Sequence, residues 1–339
     1  MECSIDTDAR VYLAGHTGLV GGAILRALGE AGFENVITRD IADLDLTDQA
    51  ATRVFLEAER PEAVIIAAAK VGGIIANWEQ PWEFIYENLM IEANLVGAAF
   101  ACGVRRLIFL GSSCIYPREA PQPLREEYLL TGPLEETNRA YAIAKIAGIE
   151  LCRSLNREYG TDYLSLMPTN LYGPGDNFDL RTSHVLPALI RRFHEAKVQG
   201  DRPVTLWGTG APLREFLYVD DVGRAVVHCL QHVSAAAAPD GLLNVGCGED
   251  LSICDLAALV QRVVGHTGEI VWDDSKPDGT PRKLMDVSRI KALGWAPSVG
   301  LEDGIRLAYD WYLLNCTVAG GSFVDPRSPV GPTEANRPA

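Results

Sequence analysis

Val11-Tyr12-Leu13-Ala14-Gly15-His16-Thr17-Gly18-Leu19-Val20-Gly21 joins a short apolar run to three glycines spaced three apart, and an amphipathic stretch continues to Ala31. The pattern predicts a buried strand, a tight turn and a helix start. The first glycine permits the turn, the second lets a backbone approach a pyrophosphate, and the third lets helix and strand pack closely. The helix start adds free N–H groups and a positive dipole end at the same point. Alone, such a triplet also fits an ordinary turn with a glycine helix start. Its place behind the first buried strand favours dinucleotide binding, with Gly15, Thr17, Gly18, Leu19, Val20 and Gly21 as the phosphate loop.

Outward from this loop, strands alternate with helices. Val36 to Thr38, the continuous apolar run Ala63 to Ala69, Leu107 to Leu110 and Tyr163 to Met167 read as strands. Asp48 to Glu59, Pro81 to Cys102 and Ala140 to Tyr159 carry helical spacing. Apolar runs without alternation belong to strands covered on both faces. The alternation implies an α/β fold with a Rossmann-like, doubly wound parallel sheet. Ligands of such sheets sit outside the carboxyl ends of the strands, and Gly15, Lys70, Ser112 and Pro168 all follow a strand directly.

Beyond Pro174 the pattern is mixed, with shorter strands (Val204 to Trp207, Leu242 to Val245, Glu269 to Trp272) and helices (His184 to Lys197, Ser252 to Val264, Leu301 to Leu314). We therefore expect an NAD(P)-binding domain over 1–172, with 216–244 packing back on it. A smaller mixed α/β substrate domain is expected over 173–215 and 245–315, and a flexible tail over 316–339, rich in Gly, Pro and small residues.

The 339 residues are 47% hydrophobic and 22% charged, as a chain with a substantial core should be. A net charge of −15 argues against nucleic acid as a partner, because phosphate backbones reward lysine and arginine. A small anionic ligand held by a few local arginines is compatible with it. No apolar run is long enough to suggest a membrane span, and the start lacks the layout of a secretory signal. Eight scattered cysteines without a C-x-x-C pair read as reduced thiols, so the cytoplasm is the expected location and no metal site is expected.

Arg39 and Asp40 end the second strand, where an adenosine ribose is recognised. Arg39 suits a 2′-phosphate and Asp40 a 2′-hydroxyl, which leaves NADPH and NADH both open; both side chains also fit as solvated loop charges. Tyr141 and Lys145 stand four apart, on one helical face. Ketone reduction needs a proton donor as hydride arrives, and a neighbouring ammonium brings a phenol into working range. Ser112 or Ser113 would add a hydrogen bond to the carbonyl oxygen. The Tyr-x-x-x-Lys spacing alone also fits a surface pair; the glycine loop and the serine after a strand favour the catalytic reading.

These residues, in this order, resemble the extended short-chain dehydrogenase/reductase superfamily. Longer segments are similar to its GDP-L-fucose synthase family: Ala67 to Ile74, Leu110 to Pro117, Tyr141 to Gly148, Met167 to Pro174 and Lys276 to Lys283. The resemblance covers roughly Arg10 to Asn315. It implies 3,5-epimerisation and NADPH-dependent 4-reduction of a GDP-linked 4-keto-6-deoxymannose in one site, with the same chemistry on a related GDP-keto sugar (3,6-dideoxy or heptose), or C4 reduction alone, as the alternatives. It implies Cys114 as base and His184 as acid of the epimerisation, with Ser112, Tyr141 and Lys145 serving the reduction. A thiolate is a competent base if nearby positive charge lowers its pKa, and histidine donates near neutrality.

The resemblance adds Leu110, Pro168, Asn170, Leu171 and His184 to the cofactor side. It sets Asn170, Arg192, Trp207, Arg214, Asp278 and Lys283 along the GDP-sugar. It also implies a homodimer through Pro81 to Cys102 and Ala140 to Tyr159. Thr17 departs from the family, many of whose members carry arginine there, and a second basic residue is missing near Ile41.

Overall fold

The structure, a computed structural model, describes residues 4–276, 278–318 and 321–326. In chain order its elements are β1 (Val11–Ala14), α1 (Leu19–Glu30), β2 (Val36–Ile37), α2 (Gln49–Glu59), β3 (Ala63–Ile66), α3 (Ile74–Glu79), α4 (Pro81–Ala101) and β4 (Arg106–Leu110). A 3-10 turn, Ser113–Ile115, precedes α5 (Arg139–Tyr159), β5 (Asp162–Pro168), β6 (Asn170–Tyr172) and α6 (Val185–Val198). Then come β7 (Val204–Trp207), β8 (Leu213–Arg214), β9 (Phe216–Tyr218), α7 (Val219–His232), β10 (Leu242–Val245), β11 (Leu251–Ser252) and α8 (Ile253–Val264). The order closes with β12 (Ile270–Asp273), β13 (Arg282–Lys283), α9 (Ser288–Ala292) and α10 (Leu301–Asn315).

Six parallel strands form the main sheet in the order β10-β5-β4-β3-β1-β2. β1, β3 and β4 are buried at every residue, which explains why they read as unbroken apolar runs. β3 stops at Ile66, earlier than the run to Ala69 suggests. There the Asn88 side chain takes over the backbone of Lys70, accepting from its N–H at 2.9 Å and donating to its carbonyl at 3.1 Å. Thus the chain leaves the sheet into the loop that faces Gly15. Asp48 caps α2 by accepting from the Ala51 N–H.

Leu242–Val245, read from sequence among the shorter mixed strands, is the sixth strand of the main sheet, in register with Ser165 to Pro168. It carries a buried polar anchor. Asn244 accepts from the Tyr116 hydroxyl at 2.5 Å and donates to the carbonyls of Leu124 and Asp286. α7 lies against α1. A second core gathers Tyr172, Phe178, Phe193, Leu256, Ile305 and Tyr312.

The sequence boundaries differ from the packing in two places. Met285, Val287, Ile290 and Trp295 lie within 245–315 yet join the first core. The tail expected from Cys316 onward is anchored at its start. Cys316 is fully buried, Thr317 bridges Phe323, and the Val324 N–H donates to the Cys316 carbonyl at 2.8 Å. Phe323 stacks on Tyr312 and lies 3.6 Å beneath the Arg191 guanidinium. One thiol and one aromatic ring outweigh the small-residue composition around them. Positions 327–339 lie outside the described residues. Among the described residues no helix is long and apolar enough to cross a membrane.

Candidate active site

Gly15 turns the chain with φ +85°, and a Cβ there would stand 2.5 Å from the Ala68 backbone nitrogen. At Gly21 a Cβ would stand 2.0 Å from the Gly15 carbonyl oxygen, so helix and turn touch backbone to backbone. Gly18 caps α1 without a side-chain hydrogen bond, and no acidic residue occupies the first turn. That leaves the uncapped N–H groups and dipole end for an anion. A nicotinamide dinucleotide fits these residues by its pyrophosphate. Thr17 and Gly18 are exposed, with Leu19 and Val20 half-buried behind them.

Arg39 reaches the ribose end of this loop already engaged. Its guanidinium pairs with Glu59 at 2.7 Å, donates to the Thr38 carbonyl and packs on Phe55. Asp40 stands 3.5 Å from the ring of His16. Gly21→Ala should push the start of α1 off the loop. We expect a loss of about 1–3 kcal/mol in stability from the overpacking and at least tenfold weaker NADPH binding, measured by thermal unfolding and fluorescence titration.

Ser112 follows β4 at Leu110, and its hydroxyl accepts from the Cys114 N–H at 3.4 Å. Tyr141 and Lys145 project from the first turns of α5. The Lys145 Nζ lies 5.8 Å from the Tyr141 ring centroid and 4.8 Å from that of Phe109. Phe84 meets the Tyr141 ring edge-on at 6.2 Å. Burial pushes the Tyr141 phenol well above its ordinary value, and negative charge at Cys114 and Glu92 adds to this. The expectation of a phenol drawn down by lysine is not met in the protein alone, where burial and nearby negative charge set the direction. A phenol kept protonated is the form a proton donor needs.

Cys114 is 7% exposed and lines one small cavity with Lys283, Glu135 and Tyr116. Burial raises its thiol, while Ser112, Lys283 and Lys145 pull it back down. The sequence expectation of a net lowering fails for the same reason as at Tyr141. The cations are there, but desolvation is larger. His184 stands where α6 begins, and its side chain makes no capping hydrogen bond. Asp179 shapes the loop before it by accepting from Arg181 and Thr182, and the Thr182 carbonyl takes the Gly73 N–H. That contact brings the loop to the carboxyl edge of β3. The surrounding protein holds the His184 imidazole below its ordinary pKa.

Arg214 and Lys283 are direct partners across β8 and β13. Burial lowers Lys283, and repulsion from Arg214 adds to this. Two like charges side by side, with no ion pair to either among the described residues, are an arrangement that an anion could neutralise. Arg192, on α6, likewise has no ion pair among the described residues. Trp207 ends β7 at 64% exposure, a free ring face with Lys276 5.8 Å away. Asn170 donates to the Glu215 carbonyl at 2.8 Å, and Leu171 continues β6 beside β9. Pro168 closes β5 opposite Val245.

Asp278 is tied to the protein as well as being expected along the GDP-sugar. Its two oxygens are taken by the Thr209 N–H at 2.9 Å and hydroxyl at 2.7 Å, so it fixes the loop after Trp207. Sequence reading missed Glu92, whose carboxylate lies 3.0 Å from Lys145. The signal was a charge on the stripe of α4 that otherwise holds Phe84, Leu95 and Ala99. A wide groove of about 1250 Å³ opens at the opposite end of the sheet, by Arg105, Arg153 and Asp162. None of the residues above line it. Among the described residues no cluster of His, Cys, Asp and Glu could hold a metal ion.

The NAD dependent epimerase/dehydratase family matches residues 11–246. The chain is 54% identical over 310 residues to GDP-L-fucose synthase 1 of Arabidopsis thaliana, covering 91% of this chain and 95% of the relative. It is 51% identical over 311 residues to the GDP-L-fucose synthase of Escherichia coli K12, covering 90% and 97%. Among solved structures, a GDP-mannoheptose C4 reductase from Campylobacter jejuni with NADP bound superposes with a TM-score of 0.85 at 38% identity, covering 91% and 99%. The glycine loop, the Tyr141–Lys145 pair and these likenesses agree: the chain belongs to the NAD dependent epimerase/dehydratase family and, within it, to the GDP-L-fucose synthases.

Proposed function

We propose that the protein converts GDP-4-keto-6-deoxy-D-mannose to GDP-L-fucose, as a 3,5-epimerase and an NADPH-dependent 4-reductase in one cleft. The observation that carries this reading is the placement of Cys114, whose N–H meets the Ser112 hydroxyl at 3.4 Å, in one cavity with Lys283, while Lys145 stands 5.8 Å from the Tyr141 ring on α5. Base and proton donor then address a single sugar ring. Arg214 and Lys283 would take the diphosphate, Trp207 would pack on a ring, and Arg192 and Asn170 would complete the GDP-sugar side.

The C4 ketone acidifies the protons at C3 and C5. Cys114 removes each from one face, and His184 returns a proton on the other. The chemistry that a reduced nicotinamide dinucleotide supplies, when bound across Gly15 to Gly21, is a hydride for C4. Tyr141 donates the proton to the C4 oxygen, Ser112 holds that oxygen by a hydrogen bond, and Lys145 favours the phenolate left behind. Arg39 would hold a 2′-phosphate and so supports NADPH, which the NADP of the heptose reductase also supports. A C4 reductase alone is the second reading, favoured by that same likeness; the presence of both Cys114 and His184 supports the bifunctional one.

Purified protein given this substrate and NADPH in D2O should oxidise the nicotinamide and carry deuterium at C3 and C5. Oxidation without deuterium would leave the pure reductase. The pH dependence follows from two opposite shifts. His184 is pushed below about 6.5 and Cys114 above about 8.5. The working pair, thiolate with imidazolium, is then a minor form whose population is constant between the two pKa values. Below both, the thiolate is lost as pH falls; above both, the imidazolium is lost as pH rises. We expect kcat/KM for deuterium exchange to be flat across neutral pH and to fall at both ends. A rate that climbs through the thiol pKa without an alkaline fall would show that His184 acts uncharged.

Homodimerisation through α4 and α5 is part of the proposal. The outer faces of α4 and α5 expose Trp82, Tyr86, Ile143 and Leu151. Light scattering should give twice the chain mass.

A further inference from the structure

Glu92 lies midway along α4 at 1% exposure, and its carboxylate stands 3.0 Å from the ammonium of Lys145, itself 2% exposed. Beyond that ion pair neither carboxylate oxygen has a hydrogen-bond partner among the described residues. Room for it comes from α5. A Cβ on Gly148 would stand 2.9 Å from Glu92 Oε2 and 2.4 Å from the Phe109 ring. A buried ion pair of this kind seldom stabilises a fold more than apolar side chains of equal volume would. Stability alone is thus a weak reason for the pair. Its far end points at the chemistry, since Lys145 lies one helical turn from Tyr141 and 5.8 Å from its ring centroid.

We propose that Glu92 is a positioning residue for the reduction: as counter-ion to Lys145 it keeps that side chain charged and fixed beneath Tyr141. The proposal rests on the reading of Tyr141 as proton donor. Without the carboxylate, burial at this depth favours the neutral amine of lysine. The positive pole beside the phenol is then lost, and the phenol becomes a weaker acid. Loss of Glu92 also removes a negative charge that opposes the phenolate directly. The two effects on the phenol oppose each other, so the decisive reading is taken at Lys145 itself. The titratable groups around the pair are Tyr141 and Cys152 on α5 and Cys114 on the 3-10 turn, with β4 contributing the Phe109 ring.

The chain has six lysines, so Lys145 can be followed by NMR in labelled protein, with and without NADPH, and assigned through Lys145→Arg. Its signal should change from ammonium to amine at a lower pH in Glu92→Gln than in the wild type. Glu92→Gln should slow hydride transfer at least tenfold, because Lys145 is no longer held beneath Tyr141. Deuterium exchange at C3 and C5 should stay within about twofold, and Glu92→Asp should restore part of the reduction.

Identical lysine titration in wild type and Glu92→Gln would overturn the proposal, as would reduction and exchange falling together. If Glu92→Gln does not fold, Glu92→Asp serves instead: its shorter arm must lower the Lys145 pKa, and an unchanged titration overturns the idea. A wild type inert toward the sugar would sink the proposed reaction, while the titration would still judge the Glu92–Lys145 coupling.

Discussion

Replacing Tyr141 by phenylalanine should slow NADPH oxidation by about 10²–10⁴-fold, the range that a positioned general acid contributes. That range corresponds to about 3–5 kcal/mol of transition-state stabilisation. The substitution leaves the edge-on contact with Phe84 and the packing of α5 intact, so the fold should hold and only the hydroxyl is lost. Single-turnover oxidation isolates the step from product release. Deuterium exchange at C3 and C5 should persist, because Cys114 and His184 are untouched. Oxidation at the wild-type rate would mean that the proton at the C4 oxygen comes from elsewhere.

Cys114→Ser should have the opposite selectivity. Serine fits the same buried space, but its hydroxyl is a far weaker acid than a thiol, so even with Lys283 and Lys145 nearby it supplies almost no base at neutral pH. Exchange at C3 and C5 should fall by about 10²–10⁴-fold, while reduction of the unepimerised ketone continues to an epimeric 6-deoxy sugar. Product analysis by NMR separates the two outcomes. Wild-type exchange in this variant would remove the thiol from the mechanism.

Features that depend on near neighbours in the chain were readable from the residues. The Gly15–Gly21 loop lies within one turn and helix start, and Tyr141 with Lys145 within one turn of α5. Strands buried on both faces announce themselves by unbroken apolar runs, which is why β1, β3 and β4 were legible. Features that sum over the whole fold were not. The net directions at Cys114 and Tyr141 depend on how much protein surrounds them, and that burial outweighs cations the sequence did foresee. Arg39 and Asp278 read as ligand contacts, and their partners within the protein, Glu59 and Thr209, come from contacts made only once the chain has folded. Glu92 escaped notice because its partner lies on another helix. The packed start of the tail escaped because two anchoring residues, Cys316 and Phe323, sit among many small ones.

The threading of the chain between its two cores bears on how the molecule can be cut. Glu215 receives the N–H groups of Gly248 and Met285, and β10 returns to the main sheet after the second core has begun. A fragment ending at Tyr172 would therefore lack β10 and leave β5 as a raw border of unpaired amides and carbonyls, inviting aggregation. Neither half can be expressed alone, and denaturation should proceed as a single cooperative transition rather than in two stages.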